Sequence, residues 1–131
     1  MKPKTLPSLY FLVRTDGQAH ATLAAIKDVS TGERFVCVFV SAQDAEEFAV
    51  ANDLMSRGWE ISESQGPDSV HNYVALALRD GSYKAVVNPP PVIHGIWRIL
   101  PIKSLHEWSR TAKEPLLAWV GYEVLPKKAG K

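Results

Sequence analysis

The chain has 131 residues, of which 46% are apolar and 22% charged, and its formal net charge is +1. This length predicts one domain over 1–131, with 1–7 and 126–131 as frayed ends. A charge this small creates no field that would attract nucleic acid or an acidic membrane, so neither partner is expected.

Cysteine content and hydropathy give further limits. The single cysteine, Cys37, predicts neither an intramolecular disulfide nor a cysteine-based metal site, which fits a reducing, cytoplasmic location. The start, MKPKTLPS, lacks the apolar segment of a signal peptide. No apolar run approaches the roughly 18 residues of a membrane-spanning helix.

The first third of the chain reads as β structure. Apolar runs on both sides of Asp16-Gly17 predict a hairpin, with Leu9–Arg14 as one strand and about Ala19–Lys27 as its partner. The second run is rich in alanine, which also favours a helix. After the turn DVSTGE, the run RFVCVFVS is apolar on both faces, which predicts a central strand.

The stretch SAQDAEEFAVANDLMSRG predicts a helix. Ser41 is its N-cap and Asp44 completes a variant of the capping box, whereas Arg57 suits the C-terminal end and Gly58 is the expected stop. The residues expected to face the core are Ala45, Phe48, Ala51, Leu54 and Met55.

The stretch GPDSVHNYVALALRDG has two interpretations. Its apolar spacing and the start Gly66-Pro67-Asp68 favour a helix, whereas Asp80-Gly81 between apolar runs would suit a hairpin. The segments WEISES, SYKAVVN, GIWRILPI and LLAWVGYEVL read as strands, and Ser104 is expected to cap a short helix, LHEWSRT. Together these elements predict an α+β fold. We expect a mixed, mostly antiparallel sheet of about five to seven strands packed by two or three helices.

Motifs that would carry catalysis are missing. The sequence has no GxSxG, GxGxxG or P-loop, and its four histidines (His20, His71, His94 and His106) are scattered without HExxH-like spacing. Cys37 lies between valines, where burial would make its thiol inert. We therefore predict no catalytic residue, no metal site and no cofactor.

The segment NPPPVIHGIW raises the question of partner binding. Three consecutive prolines form a stiff, solvated connection between strands, and this interpretation is favoured over a recognition loop. Trp97 and Trp119 fall on predicted strands and are expected in the core, as is Trp108 in preference to a surface patch. If this region binds a partner, the residues expected to do so are Pro90, Pro91, His94 and Trp97.

Two segments resemble a known family. GERFVCVFVSAQDAEEF and YKAVVNPPP are similar to the SseB N-terminal domain family, in which a strand enters an acidic helix and a later strand ends in an Asn-Pro-Gly-like turn. The resemblance covers 32–91; Val40 replaces the usual threonine, and Pro90-Pro91 replace small residues. It implies a small α+β domain without a known catalytic centre, in which Asn88 and Pro89 form a structural turn.

The leading functional interpretation is a non-enzymatic interaction or regulatory domain that binds another protein. It rests on the missing catalytic motifs, the near-neutral charge and the Pro/Trp-rich segment. One alternative is a small inhibitor or immunity-type protein; others are an enzyme or a ligand-sensing domain with an unrecognised site.

A binder should show an exposed apolar patch, and an enzyme should show a pocket with converging titratable groups, for example around His94. An inhibitor should show a charged face, built from Asp44, Glu46, Glu47, Asp53 and Glu60. Neither the partner nor the oligomeric state follows from the sequence.

Overall fold

A computed structural model describes residues 8–15, 21–90, 95–111 and 113–125. Within these ranges the chain forms eight strands and three helices, with two short 3-10 turns. The strands are β1 (Ser8–Thr15), β2 (Ala21–Leu23), β3 (Ala25–Lys27), β4 (Arg34–Val38), β5 (Glu60–Gln65), β6 (Lys84–Val87), β7 (Gly95–Pro101) and β8 (Gly121–Leu125). The helices are α1 (Ala42–Ala51), α2 (Gly66–Arg79) and α3 (Ile102–Thr111), and the 3-10 turns are Met55–Arg57 and Leu116–Trp119.

The strands divide between two sheets. One sheet has the order β2-β1-β5 and the other β3-β4-β6-β7-β8; β4 and β6 are parallel, and the other pairs are antiparallel. The predicted α+β class is therefore confirmed, although the strands do not form a single sheet. The division occurs at Ala24, whose N–H donates to the Leu12 carbonyl while its own carbonyl accepts from the Cys37 N–H. One residue thus bonds to a strand of each sheet, and the predicted strand Ala19–Lys27 bends there.

The predicted central strand is confirmed as β4, which lies between β3 and β6. Its alternating side chains enter two apolar clusters: Val36 and Val38 pack on the side of α2 and α3, whereas Phe35 and Cys37 pack on the side of α1. All four side chains are at most 1% exposed. A strand covered on both faces reads as a continuous apolar run, which explains why the sequence identified it.

The start of α1 is as predicted, but its end is not. The Ser41 hydroxyl accepts from the Asp44 N–H, which is the expected cap. The helix ends at Ala51 and not near Gly58, because Asp53 adopts a left-handed φ of 54° and the Leu54 N–H closes onto the Ala49 carbonyl. Asp tolerates this conformation better than most residues, so the chain turns early. Ala51 and Met55, predicted to face the core, are consequently exposed.

The second half of the chain confirms one choice and corrects two expectations. The ambiguous stretch is a helix, α2, and it begins at Gly66-Pro67 as expected. Ser104 lies inside α3 and does not cap it, because that helix begins at Ile102, immediately after β7. Trp119 lies in a 3-10 turn before β8 and is 37% exposed, so its expected place in a core strand is wrong.

Trp97 and Trp108 pack in the core as predicted. Trp97 is 1% exposed, and Trp108 is buried with its indole N–H donating to the Glu114 carbonyl at 2.7 Å. No helix in the described part of the chain combines the length and the apolar character needed to cross a membrane.

Candidate protein-interaction site

Asn88 connects three elements at one edge of the larger sheet. Since β4 and β6 are parallel, their carboxyl ends meet at this edge, where α1 also begins. The Asn88 N–H donates to the Val38 carbonyl at 2.7 Å, its Oδ1 accepts from the Val40 N–H at 3.1 Å, and its Nδ2 donates to Asp44 Oδ2 at 3.3 Å. Its φ of 49° lies in the left-handed region, which asparagine tolerates. Its structural role therefore rests on its side chain as well as on its backbone.

Replacing Asn88 separates these two contributions. We expect Asn88→Ala to lower the free energy of unfolding by about 2 kcal/mol, since it loses the side-chain hydrogen bonds and strains a left-handed position. Asn88→Gly loses the same hydrogen bonds but accommodates the backbone, so its loss should be smaller. Urea unfolding checks this; equal losses in both variants would contradict a strained backbone at this position.

The proline segment lines a cleft beside Asn88. Pro89 is buried and Pro90 is half-buried, so the expected solvated connection is wrong for Pro89; the segment follows β6 and leads to its antiparallel neighbour β7. Two of the predicted binding residues, Pro91 and His94, lie outside the described residues. The cleft has a volume of about 380 Å³ and is lined by Asp44, Glu47, Phe48, Asn88, Pro89, Pro90 and Arg98.

The polar groups of this cleft serve mainly to hold the structure. Asp44 accepts from the Ser41 hydroxyl at 2.9 Å and from Asn88, so its carboxylate completes the start of α1. Glu47 accepts from Gln43 at 3.3 Å along the same helix. Arg98 forms no ion pair with any residue of the described ranges. Among the described residues, the cleft thus offers a cation that forms no ion pair, Arg98, beside Phe48, Pro89 and Pro90.

Trp97, the fourth predicted binding residue, is not on the surface. Its side chain belongs to the apolar cluster on the α1 side, and its indole N–H has no hydrogen-bond acceptor in the described part of the chain. Of the predicted site residues that the structure describes, only Pro90 is open to a partner.

An exposed, mainly apolar surface lies next to this cleft, on β7 and β8. Ile96 pairs with Val124 and Arg98 pairs with Tyr122 across the two strands, so the four side chains share one face of the sheet. Ile96, Tyr122 and Val124 are 70%, 69% and 66% exposed. We call these four residues the β7–β8 surface; Arg98 joins it to the Asn88 cleft.

The sequence contains a partial signal for this surface. Tyr122 and Val124 alternate with Gly121 and Glu123, as expected for a strand with one apolar face. Alternation does not say whether a helix covers that face. The sheet continues on the same side with Leu100, which is buried in the cluster of α2 and α3, so the helical cover ends before Ile96.

Cys37 behaves as the sequence predicted. Burial raises the pKa of its thiol to about 12, so it stays protonated and unreactive at neutral pH. We expect a disulfide reagent to leave Cys37 unmodified at pH 8 in the native protein and to modify it fully in denaturant. Modification of the native protein as fast as the denatured protein would contradict this burial.

The described residues contain no group of three or more His, Cys, Asp and Glu side chains that would hold a metal ion. The histidines are nevertheless less scattered than their spacing suggested, because the rings of His71 and His106 lie 5.0 Å apart between α2 and α3. Comparisons with known proteins add no assignment: no family model matches the chain, and no curated protein matches it.

Proposed function

We propose that this protein is a non-enzymatic interaction domain that binds another protein through the β7–β8 surface. The observation that carries the proposal is the placement of Ile96, Tyr122 and Val124 side by side, each about two-thirds exposed, on the outermost strand pair of the larger sheet. Single exposed apolar residues are ordinary, whereas a large contiguous exposed apolar patch marks an interaction site.

The outer edge of β8 supports the same proposal. In the described part of the chain β8 pairs only with β7, so its other side presents unpaired backbone groups. Proteins usually protect such an edge with proline or lysine, and Gly121–Val124 contains neither. An added strand would satisfy these backbone groups and cover the exposed side chains at once.

The partner that fits best is an extended segment of a different protein. Such a segment would carry apolar residues at alternate positions, which would pack on Tyr122 and Val124, and an acidic side chain for Arg98. A second copy of this chain fits less well. When two β8 strands pair with Tyr122 and Val124 of both copies on one face, Glu123 of the second copy lies on the other face and brings no carboxylate to the side of Arg98.

An acidic surface favours the inhibitor alternative. Glu46 and Glu47 line a shallow cleft on the outer side of α1 together with Gln43, Ala51 and the 67% exposed Val50. Asp53 and Glu60 are also exposed, whereas Asp44 is occupied by the helix cap. A basic target would bind here; Glu47 also lines the Asn88 cleft, so this acidic surface adjoins Arg98 of the β7–β8 surface.

Affinity capture from the native cell, followed by mass spectrometry, tests both functions. The bait is the wild-type protein, Arg98→Glu, or the double variant Tyr122→Ser/Val124→Ser. We expect the wild-type bait to recover a protein that neither variant recovers. The recovered protein must also bind the purified domain directly through one of its own segments.

Matched variants make the result specific. Tyr83→Ser/Val29→Ser replaces a tyrosine and a valine that are 69% and 88% exposed and lie outside β7 and β8. It should recover the partner as the wild type does. If only Glu46→Lys/Glu47→Lys fails to recover the partner, the result favours the inhibitor function. Sedimentation that shows a dimer dispersed by the β8 variant would mean that the occupant is a second copy, and would overturn the proposed partner.

A further inference from the structure

His71 and His106 face each other from two packed helices. The centroids of their imidazole rings are 5.0 Å apart, and the ring planes are inclined by 55°. His71 directly follows Val70 on α2 and His106 directly follows Leu105 on α3, and both preceding residues are 0% exposed. The contact between the helices therefore fixes the positions from which the two imidazoles project.

The spacing suits two ligands of one metal ion. A metal about 2.0–2.1 Å from one nitrogen of each ring lies about 3.2 Å from each ring centroid, so a tetrahedral angle separates the centroids by about 5.2 Å. The observed 5.0 Å agrees with this separation. Neither ring forms a hydrogen bond to another residue of the described ranges, so the ring nitrogens are not committed elsewhere.

The surroundings of the two rings allow an ion to enter from solvent and to retain water as ligands. His71 is exposed and His106 is half-buried, so one side of the pair is open to solvent. Asp68 lies three residues before His71, on the same side of α2, and adds a negative charge near the open side. The charged neighbours of His106 on α3 are Lys103, three residues before it, and Glu107 and Arg110, which neutralise each other in an ion pair at 3.6 Å.

We propose that His71 and His106 form an interhelical site for a divalent transition metal that prefers imidazole, such as Zn²⁺ or Cu²⁺. Two protein ligands leave the other positions of the metal to water or to a side chain of a bound partner. The ion would join α2 to α3. Mg²⁺ would not bind, because it requires oxygen ligands.

Calorimetric titration of ZnCl₂ and CuCl₂ into the purified, untagged protein tests the site. The variants are His71→Gln and His106→Gln, and the matched controls are His20→Gln and His94→Gln. We expect each site variant to lose at least about tenfold in affinity, since even outer-shell partners of a metal contribute this much. The controls should bind as the wild type does, and MgCl₂ should give no heat of binding.

Nuclear magnetic resonance of the wild-type protein tests the site without any variant. In the wild-type protein, Zn²⁺ should shift the imidazole resonances of His71 and His106 together, at one ion per chain, and leave those of His20 and His94 unchanged. Absence of Zn²⁺ and Cu²⁺ binding, equal affinity in all four variants, or a shift of only one of the two imidazoles would overturn the proposal. Each of these results would mean that the two rings only contact each other.

Discussion

Trp97→Ala is expected to lower the free energy of unfolding by about 3–5 kcal/mol, the range for removal of a large buried aromatic side chain. Trp97 is 1% exposed and packs with the apolar residues on the α1 side of the larger sheet. Domains of this kind are stable by only about 5–15 kcal/mol in total, so the variant should be close to unfolding. Denaturant unfolding followed by circular dichroism measures the change.

Two further variants assign this loss to burial. Trp119→Ala removes the same side chain from a position that is 37% exposed, so it should lower stability clearly less than Trp97→Ala does. Trp97→Phe keeps an aromatic ring and gives up an N–H that has no acceptor among the described residues, so its effect should be clearly smaller than that of alanine. Equal losses for Trp97→Ala and Trp119→Ala would contradict the described core. The burial also means that loss of partner binding in Trp97→Ala would report unfolding and not a contact.

The double variant Tyr122→Ser/Val124→Ser is expected to bind the captured partner with an affinity at least about 30-fold lower than the wild type. This corresponds to a loss of about 2 kcal/mol of binding free energy. Tyrosine is prominent among the residues that dominate binding energy, and Tyr122 is 69% exposed opposite Arg98. Calorimetry with the purified partner measures the affinity. Thermal unfolding of the free variant shows whether the domain itself is intact.

The control for this effect has the same residue types elsewhere. Tyr83→Ser/Val29→Ser should change the affinity less than about threefold, since surface substitutions outside a contact have small effects. If both double variants lower the affinity for the partner equally, the lower affinity comes from a general change in surface character. The β7–β8 surface is then not the binding site.

Local patterns predicted most of the fold. The apolar run of β4, the cap at Ser41 and the helical spacing that begins at Gly66-Pro67 depend on neighbouring residues, and each appears where it was expected. The early end of α1 was missed because Asp53 adopts a left-handed φ and ends the helix before the expected stop at Gly58. The bend at Ala24 was missed because it depends on hydrogen bonds to Leu12 and Cys37, which are distant in sequence.

The candidate site was harder to predict. The proline segment attracted attention and does reach a cleft through Pro90, but the exposed aromatic residue nearby is Tyr122 and not Trp97. Which face of β7 and β8 is open depends on how far α2 and α3 extend over the sheet, and no local pattern encodes that extent. The contact between His71 and His106 likewise depends on helix packing. The resemblance of 32–91 to the SseB N-terminal domain family stays a prediction.

Amide hydrogen exchange of β8, with and without the captured partner, tests the proposed function most directly. The backbone amides of β8 that do not bond to β7 should exchange quickly in the free domain and become protected when the partner's segment adds to this edge. Protection should appear at Gly121–Leu125 and should be absent in Tyr122→Ser/Val124→Ser. If the partner binds but the β8 amides exchange as before, or if protection is confined to α1, the proposed binding site is contradicted.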